Sequence, residues 1–251
     1  MFFLGSTILA AVVLQQNPSL AAKSTRTAVP VLTRVESNMF PSSWTNASVR
    51  ATAQPLDPSE VDRSVTILKI AMDKYPSRVI QQNLRKVYVC QKLMFYGLSY
   101  GGTNSADSLY LANRGKNYGF SDQFLEESFH HEFSSILLRN YYDIFDADAW
   151  SACNGSMKYR VDGTQAVREG TASTHYDPKF NQQGFLAQYA TASLEEDFNM
   201  MAEGLFSGSR KYWQTIDAYP RLKHKMQAIV NFYHRLDPVF TEARFRSFQK
   251  T

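Results

Sequence analysis

Glu126-Glu127-Ser128-Phe129-His130-His131-Glu132-Phe133-Ser134-Ser135-Ile136-Leu137-Leu138 is the stretch that decides the fold. Apolar residues recur at steps of three and four along it and its flanks: Phe124, Leu125, Phe129, Phe133, Ile136, Leu137 and Tyr141. Such steps bring side chains to one face of a helix. The stretch is therefore predicted to be an amphipathic helix, and Ser121-Asp122 is its expected N-terminal cap.

Two β-rich segments precede this helix, at residues 87–96 and 108–112, and glycines at 97, 101 and 102 end the first of them. A strand pair that leads into a helix fits an α+β arrangement of layers. Further helical patterns cover residues 59–75, 193–206 and 212–236, the last interrupted at Pro220. Ser193 and Glu196 form a capping-box pattern. The sequence predicts a helix-rich α+β chain with a small sheet.

The N-terminal region divides into two parts. Residues 1–22 carry no charge, and an apolar run is followed by the small residues Ser19 and Ala21. This pattern predicts a signal peptide and an exported protein, periplasmic or extracellular, without a stable membrane span. Residues 23–58 are rich in Ser, Thr, Pro and Ala and are interpreted as an arm or linker. Residues 59–251 are predicted to form one domain.

The composition limits the classes of protein to which this chain can belong. The 44% hydrophobic content suffices for a core. The net charge is +4, but no segment concentrates Lys and Arg, so no nucleic-acid partner is predicted. Cys90 and Cys153 either pair in a disulfide or remain two free thiols, and both alternatives stay open.

The central helix carries a near-match to a zinc motif. His131-Glu132 followed by Ser135 differs by one residue from the H-E-x-x-H pattern of zinc metallopeptidases. In that pattern two His one turn apart bind the metal, and the Glu acts as general base on metal-bound water. A serine hydroxyl is a poor zinc ligand compared with imidazole. The alternative is that these are ordinary polar residues of a helix.

Downstream segments extend the pattern into a family resemblance. Three follow the helix at family-like spacing: Gly184-Phe185, Tyr189-Ala190 and Glu196-Asp197-Phe198. Together with Phe129-His130-His131-Glu132-Phe133 they resemble the zinc-binding metallopeptidases of bacterial exported proteins and lipoproteins. That family has a zincin-like fold similar to the anthrax lethal factor protease domain. The resemblance implies a zincin-like fold, a zinc cofactor and a peptide or protein substrate or partner.

The resemblance also implies roles for four residues. His131 corresponds to the first zinc ligand and Glu132 to the catalytic base. Glu196 corresponds to the third ligand, with Glu195 as an alternative. Tyr189, seven residues before Glu196, corresponds to the phenol that stabilises the oxyanion.

This chain departs from the family pattern at two positions. Ser135 stands where the second zinc His is expected, and Met200 stands where the pattern has a carboxylate that supports the ligands. Glu127, one turn before His131, is a possible substitute ligand, as are His130 and His175.

Three hypotheses for function follow. The first is a working zinc metallopeptidase in which another group replaces the missing ligand. The second is a catalytically inactive relative that binds a peptide or protein. The third is an exported structural or interaction protein with an accidental His-Glu pair.

Overall fold

The fold is α+β, and the computed structural model describes residues 28–249 of it. Its mixed sheet has six strands: β1 Val31–Leu32, β2 Thr52–Pro55, β3 Lys86–Phe95, β4 Leu98–Tyr100, β5 Gly102–Asn104 and β6 Ser108–Ala112. The central path is β1-β3-β6-β5, and both β2 and β4 also pair with β3. Strand β3 runs parallel to β1 and β6, whereas β5 runs antiparallel to β6.

Ten α-helices are found within residues 28–249: α1 Val61–Met72, α2 Ser77–Asn83, α3 Asp122–Asn140, α4 Ala147–Ala152, α5 Gly163–Arg168, α6 Pro178–Asn181, α7 Leu194–Ser207, α8 Arg210–Ala218, α9 Pro220–Leu236 and α10 Glu242–Arg246. Short 3-10 helices are also present, and one of them, Tyr189–Thr191, carries Tyr189. No helix in this described part of the chain combines the length and hydropathy needed to cross a membrane.

Helix α3 is the predicted central helix. Ser121 Oγ accepts a hydrogen bond from the backbone N–H of Phe124, which confirms the expected cap. Every residue from 133 to 138 is buried, so the buried surface is wider than the single face that the spacing predicts. The reason is that α3 packs against α7 on one side and α1 and the sheet on others.

The sheet confirms both predicted strands, as β3 and β6, and adds four shorter ones. Its side chains alternate between two faces. Val87 and Leu109 face the helices, whereas Tyr88 and Tyr110 face a second apolar cluster. The described part of the predicted arm, residues 28–58, supplies β1, β2 and Met39 of that cluster, so it packs as part of the folded unit.

The C-terminal helices follow the predicted boundaries. Ser193 Oγ accepts from the Glu196 backbone N–H at the start of α7, and Gly208, with φ of 67°, ends that helix in the left-handed conformation. Pro220 begins α9, which confirms the interruption predicted there. Cys90 and Cys153 are both free thiols. The predicted signal peptide, residues 1–22, lies outside the described residues.

Candidate functional site

A polar cavity of about 280 Å³ lies between α3, β5, the start of α5 and the start of α7. Its walls contain several of the residues that the sequence singles out: His131, Glu132, Ser135, Tyr189, Glu195 and Glu196. Residues that were not singled out also line it: Tyr100, Gly102, Thr103, Asn104, Arg139, Asp162, Gly163, Thr164 and Asn199. Helices α3 and α7 pack together along this site, which brings their polar residues to the same cavity.

His131 lies between two carboxylates of α7. Its Nε2 is 3.1 Å from Glu196 Oε2, and its Nδ1 is 2.9 Å from Glu203 Oε2. The three side chains keep 14–15% of their surface exposed. Because the two carboxylates contact opposite nitrogens, they flank the imidazole on opposite edges.

The charge state of His131 follows from these contacts. Burial by itself lowers the pKa of His131, but the hydrogen bonds and negative charges of Glu196 and Glu203 outweigh it. The pKa is held well above its ordinary value. His131 is therefore an imidazolium at neutral pH, and both ring nitrogens donate to the carboxylates.

Glu132 points towards the sheet rather than into α7. Its Oε2 accepts a hydrogen bond of 2.8 Å from Asn104 Nδ2 on β5. A Cβ at Gly102 would lie 2.8 Å from Glu132 Oε1, so a larger residue there would displace this carboxylate from its place beside the strand. Burial raises the pKa of Glu132 to about 7, although the charge of His131 and the Asn104 hydrogen bond oppose the shift.

Tyr189 lies beside the His131–Glu196 pair. Its ring is nearly parallel to the imidazole of His131, at an interplanar angle of 13° and a centroid distance of 6.2 Å. Burial, and then the negative charge of Glu196, hold the pKa of Tyr189 well above its ordinary value, so the phenol is protonated. A Cβ at Gly163 would overlap Glu196 Oε1 and lie 2.7 Å from the Tyr189 hydroxyl oxygen. Gly163 therefore permits the close approach of α5 to this pair.

Ser135 and Asn199 form the polar floor of the cavity, a name used below for these two residues. Asn199 Nδ2 donates a hydrogen bond of 2.6 Å to Ser135 Oγ. Both residues are buried, with 3% and 2% of their surface exposed. Asn199 Oδ1 has no hydrogen-bond partner among residues 28–249. The position expected for a second zinc-binding imidazole is thus held by a hydroxyl already bound to an amide.

The donor set can be tested against the zinc site that the resemblance implies. A His₂Glu site takes three metal-binding side chains from different directions. Here His131 Nε2 and Glu196 Oε2 lie 3.1 Å apart, a separation that two ligands of one zinc ion can have. The third position is the Ser135 hydroxyl, which is a poor zinc ligand. In the described range 28–249, no group of three or more His, Cys, Asp or Glu side chains has an arrangement that holds a metal ion. The residues present supply two of the three ligands of the implied His₂Glu site, and in this respect they do not fit it.

Other sequence candidates lie outside this arrangement. Glu127 is absent from the cavity wall; its Oε1 accepts from Gln123 Nε2 at 2.8 Å, and burial raises the pKa of Glu127 to about 7. His130 is fully buried on another side of α3, with Nδ1 2.9 Å from the Tyr75 hydroxyl. His175 is exposed in a loop that does not line the cavity.

The structure brings in residues that sequence reasoning did not single out. Glu203 supplies the carboxylate that supports His131, whereas Met200, the position expected to have lost that role, is fully buried in the core. Glu203 lies seven residues after Glu196, two helical turns along the same face, so helical spacing offered a signal. Asn104 and Gly163 lie on other elements, and no local pattern connects them to α3.

Residue Asp197, next to Glu196, faces the interior instead. Its Oδ2 accepts from Lys225 Nζ at 2.5 Å, from Tyr159 at 2.7 Å and from Trp150 Nε1 at 2.9 Å. Asp197 and Lys225 have no exposed surface. Burial raises the pKa of Asp197 and lowers that of Lys225, and the attraction between the two opposes both shifts.

Comparison of this chain with protein-family models, with curated proteins and with solved structures found no match.

Proposed function

We propose that this protein is a catalytically inactive relative of zincin-like metallopeptidases that binds an extended peptide in its cavity. The observation that carries the proposal is the Ser135 hydroxyl, which accepts a hydrogen bond from Asn199 at the position where the resemblance implies a second zinc-binding imidazole. An ion pair and a neutral hydrogen bond stand where the family resemblance implies three metal ligands. Glu132 and Tyr189 remain in the cavity, and without a metal-bound water they line a binding site.

Strand β5 supports an extended peptide as the ligand. It pairs only with β6 in the described sheet, so its other edge carries no strand. Ser105 N donates to Ser108 O, and Gly101 O accepts from Ala112 N, which places the odd-numbered backbone groups towards β6. The backbone N–H and C=O of Gly102 and Asn104 consequently face the open edge. Because these residues line the cavity, a peptide strand added to β5 would lie along it.

The first experiment measures metal content and cleavage together. We expect purified wild-type protein to hold far less than one zinc per chain, and Ser135→His to gain zinc, since the substitution restores the second imidazole. Ser151→His, at an exposed serine of α4 outside the cavity, is the control substitution and should gain none. Stoichiometric zinc in the wild type, with peptide cleavage abolished by Glu132→Gln, would establish the working metallopeptidase instead.

The second experiment tests the binding edge. Addition of an extended peptide should slow hydrogen exchange at the Gly102 and Asn104 amides, because both would become donors to the added strand. The Thr103 amide faces β6 and serves as the internal control. Equal protection of all three, or of none at saturating peptide, would argue against strand addition.

The exported location predicted from residues 1–22 belongs to the same proposal. Export would remove the predicted signal peptide, so the mature protein would begin near residue 22, which N-terminal sequencing of secreted material detects.

A further inference from the structure

We infer that the polar floor of the cavity and the carboxylates around it bind an alkylammonium group carried by the peptide. This inference rests on the proposed function, because it names the chemistry of the ligand for the same cavity. The ligand is a primary ammonium, from either a lysine side chain or a peptide N-terminus.

The floor offers an acceptor that the described part of the chain leaves unpaired. Asn199 is 2% exposed, and its Nδ2 is already bound to Ser135 Oγ. Its Oδ1 is buried without a partner among residues 28–249, although Asn199 lines the cavity. A buried amide oxygen without a hydrogen bond carries an unfavourable desolvation free energy. A ligand that donates a hydrogen bond to this oxygen removes that penalty, which favours binding.

The charge around the floor selects a cation over a neutral donor. Four carboxylates line the cavity, from Glu132, Asp162, Glu195 and Glu196, and the cations of the wall are His131 and Arg139. His131 is held between Glu196 and Glu203, while Arg139 donates to Asn104 Oδ1 and to Ser105 O. The wall therefore carries more carboxylates than cations facing the cavity.

The shape of the acceptor set favours an ammonium over a guanidinium. A primary ammonium is a compact charge with three donors, which suits acceptors on separate elements such as the Asn199 amide on α7 and Glu132 on α3. A guanidinium binds best to one carboxylate through two parallel hydrogen bonds. The oxygen atom of Asn199 provides a single acceptor at the floor, so it discriminates in favour of the smaller group.

The test uses capped peptides of the form acetyl-Thr-Val-Xaa-Val-Thr-amide, in which Xaa is Lys, norleucine, Arg or Glu, and the full chain as purified. Norleucine keeps the methylene chain of lysine and lacks the ammonium. We expect the Lys peptide to bind roughly ten- to a hundredfold more tightly than the norleucine peptide, the range for a charge-assisted hydrogen bond. The uncapped peptide with Xaa norleucine tests the N-terminal amine as the source.

Two substitutions at Asn199 are expected to change the preference for the Lys peptide over the norleucine peptide in opposite directions. Asn199→Leu removes the acceptor while keeping a side chain with the same branching, and it should abolish the preference for Lys over norleucine. Asn199→Asp adds a negative charge that Ser135 can satisfy by donating, and should increase that preference. Asn140→Leu, at the exposed end of α3 outside the cavity, is the matched control and should leave it unchanged.

The outcomes separate this inference from the proposed function. Binding of all four peptides with equal affinity overturns the ammonium site and leaves peptide binding in place. Tighter binding of the Glu peptide overturns it as well. If no peptide binds but n-butylamine shifts the side-chain amide resonances of Asn199 in wild-type protein, the ammonium site stands and the proposed peptide function fails. Absence of both responses overturns both.

Discussion

Glu196 and Asp197 are neighbours on α7, yet they belong to two different charged regions. Glu196 contacts His131 at the cavity, where both side chains keep about 15% of their surface exposed. Asp197 contacts Lys225 in the interior, where neither side chain has any exposed surface. Because successive residues of a helix point about a quarter-turn apart, one helix supplies an anion to each region.

The difference between the regions lies in what surrounds each ion pair. Around Asp197, the donors of Trp150, Tyr159 and Lys225 converge on one carboxylate oxygen, and aromatic rings enclose Lys225. Around His131, carboxylates outnumber cations, and an open cavity adjoins them. The Asp197–Lys225 pair therefore joins α7 to α9 in the interior. The cavity around His131 has carboxylates and the Asn199 Oδ1 that can accept hydrogen bonds from a ligand.

The largest expected effect comes from breaking the interior pair. Lys225→Met should lower the free energy of unfolding by about 3–5 kcal/mol at neutral pH, because it leaves the Asp197 carboxylate buried without its cation. Urea denaturation measures the loss. Lys223→Met, on the exposed face of the same helix, should change stability by no more than about 0.5 kcal/mol. A loss below about 1 kcal/mol in Lys225→Met would remove the contrast between the two regions.

In the cavity, the titration of Glu132 is expected to change the free energy of unfolding by a smaller amount, and this change depends on pH. The folded-state pKa of Glu132 is about 7, above its ordinary value of 4.5. The folded state therefore favours protonated Glu132. The resulting contribution to the free energy of unfolding is fully present below pH 4.5 and is lost as the pH rises through 7. The loss amounts to about 3 kcal/mol at most.

Glu132→Gln removes this titration while keeping an acceptor for Asn104. The variant should gain stability relative to wild type between pH 5 and pH 8, measured by denaturation at each pH. Glu195→Gln, at the exposed rim, provides the comparison. A constant difference between Glu132→Gln and wild type across this range would contradict the raised pKa.

The smallest expected change in stability comes from removing the N-terminal cap of α7, the helix that carries both Glu196 and Asp197. Ser193→Ala should cost about 1 kcal/mol, because it removes the side-chain acceptor of the Glu196 backbone N–H. Ser193→Thr retains that acceptor and should lose only a fraction of this amount. Loss of stability with unchanged peptide affinity would show that the cap supports both regions equally. A change in affinity that exceeds the change in stability would show that the cap positions Glu196 specifically.

The sequence by itself determined the local elements of this protein. Apolar spacing and capping residues predicted α3, α7 and the break at Pro220, because such signals act within a few residues of one another. The family resemblance of these segments pointed to His131, Glu132, Tyr189 and Glu196, and the structure brings all four to one cavity. The substitution of Ser135 was also evident from the sequence.

Only the tertiary structure decided what surrounds those residues. Glu203 lies 72 residues from His131, and Asn199 lies 64 residues from Ser135. Asn104 reaches Glu132 from a strand, and Gly163 approaches Glu196 from another helix. No local pattern encodes such pairs, because they form only when α7, β5 and α5 pack against α3. The packing of these elements therefore places His131 in an ion pair with Glu196, next to the hydrogen bond between Asn199 and Ser135.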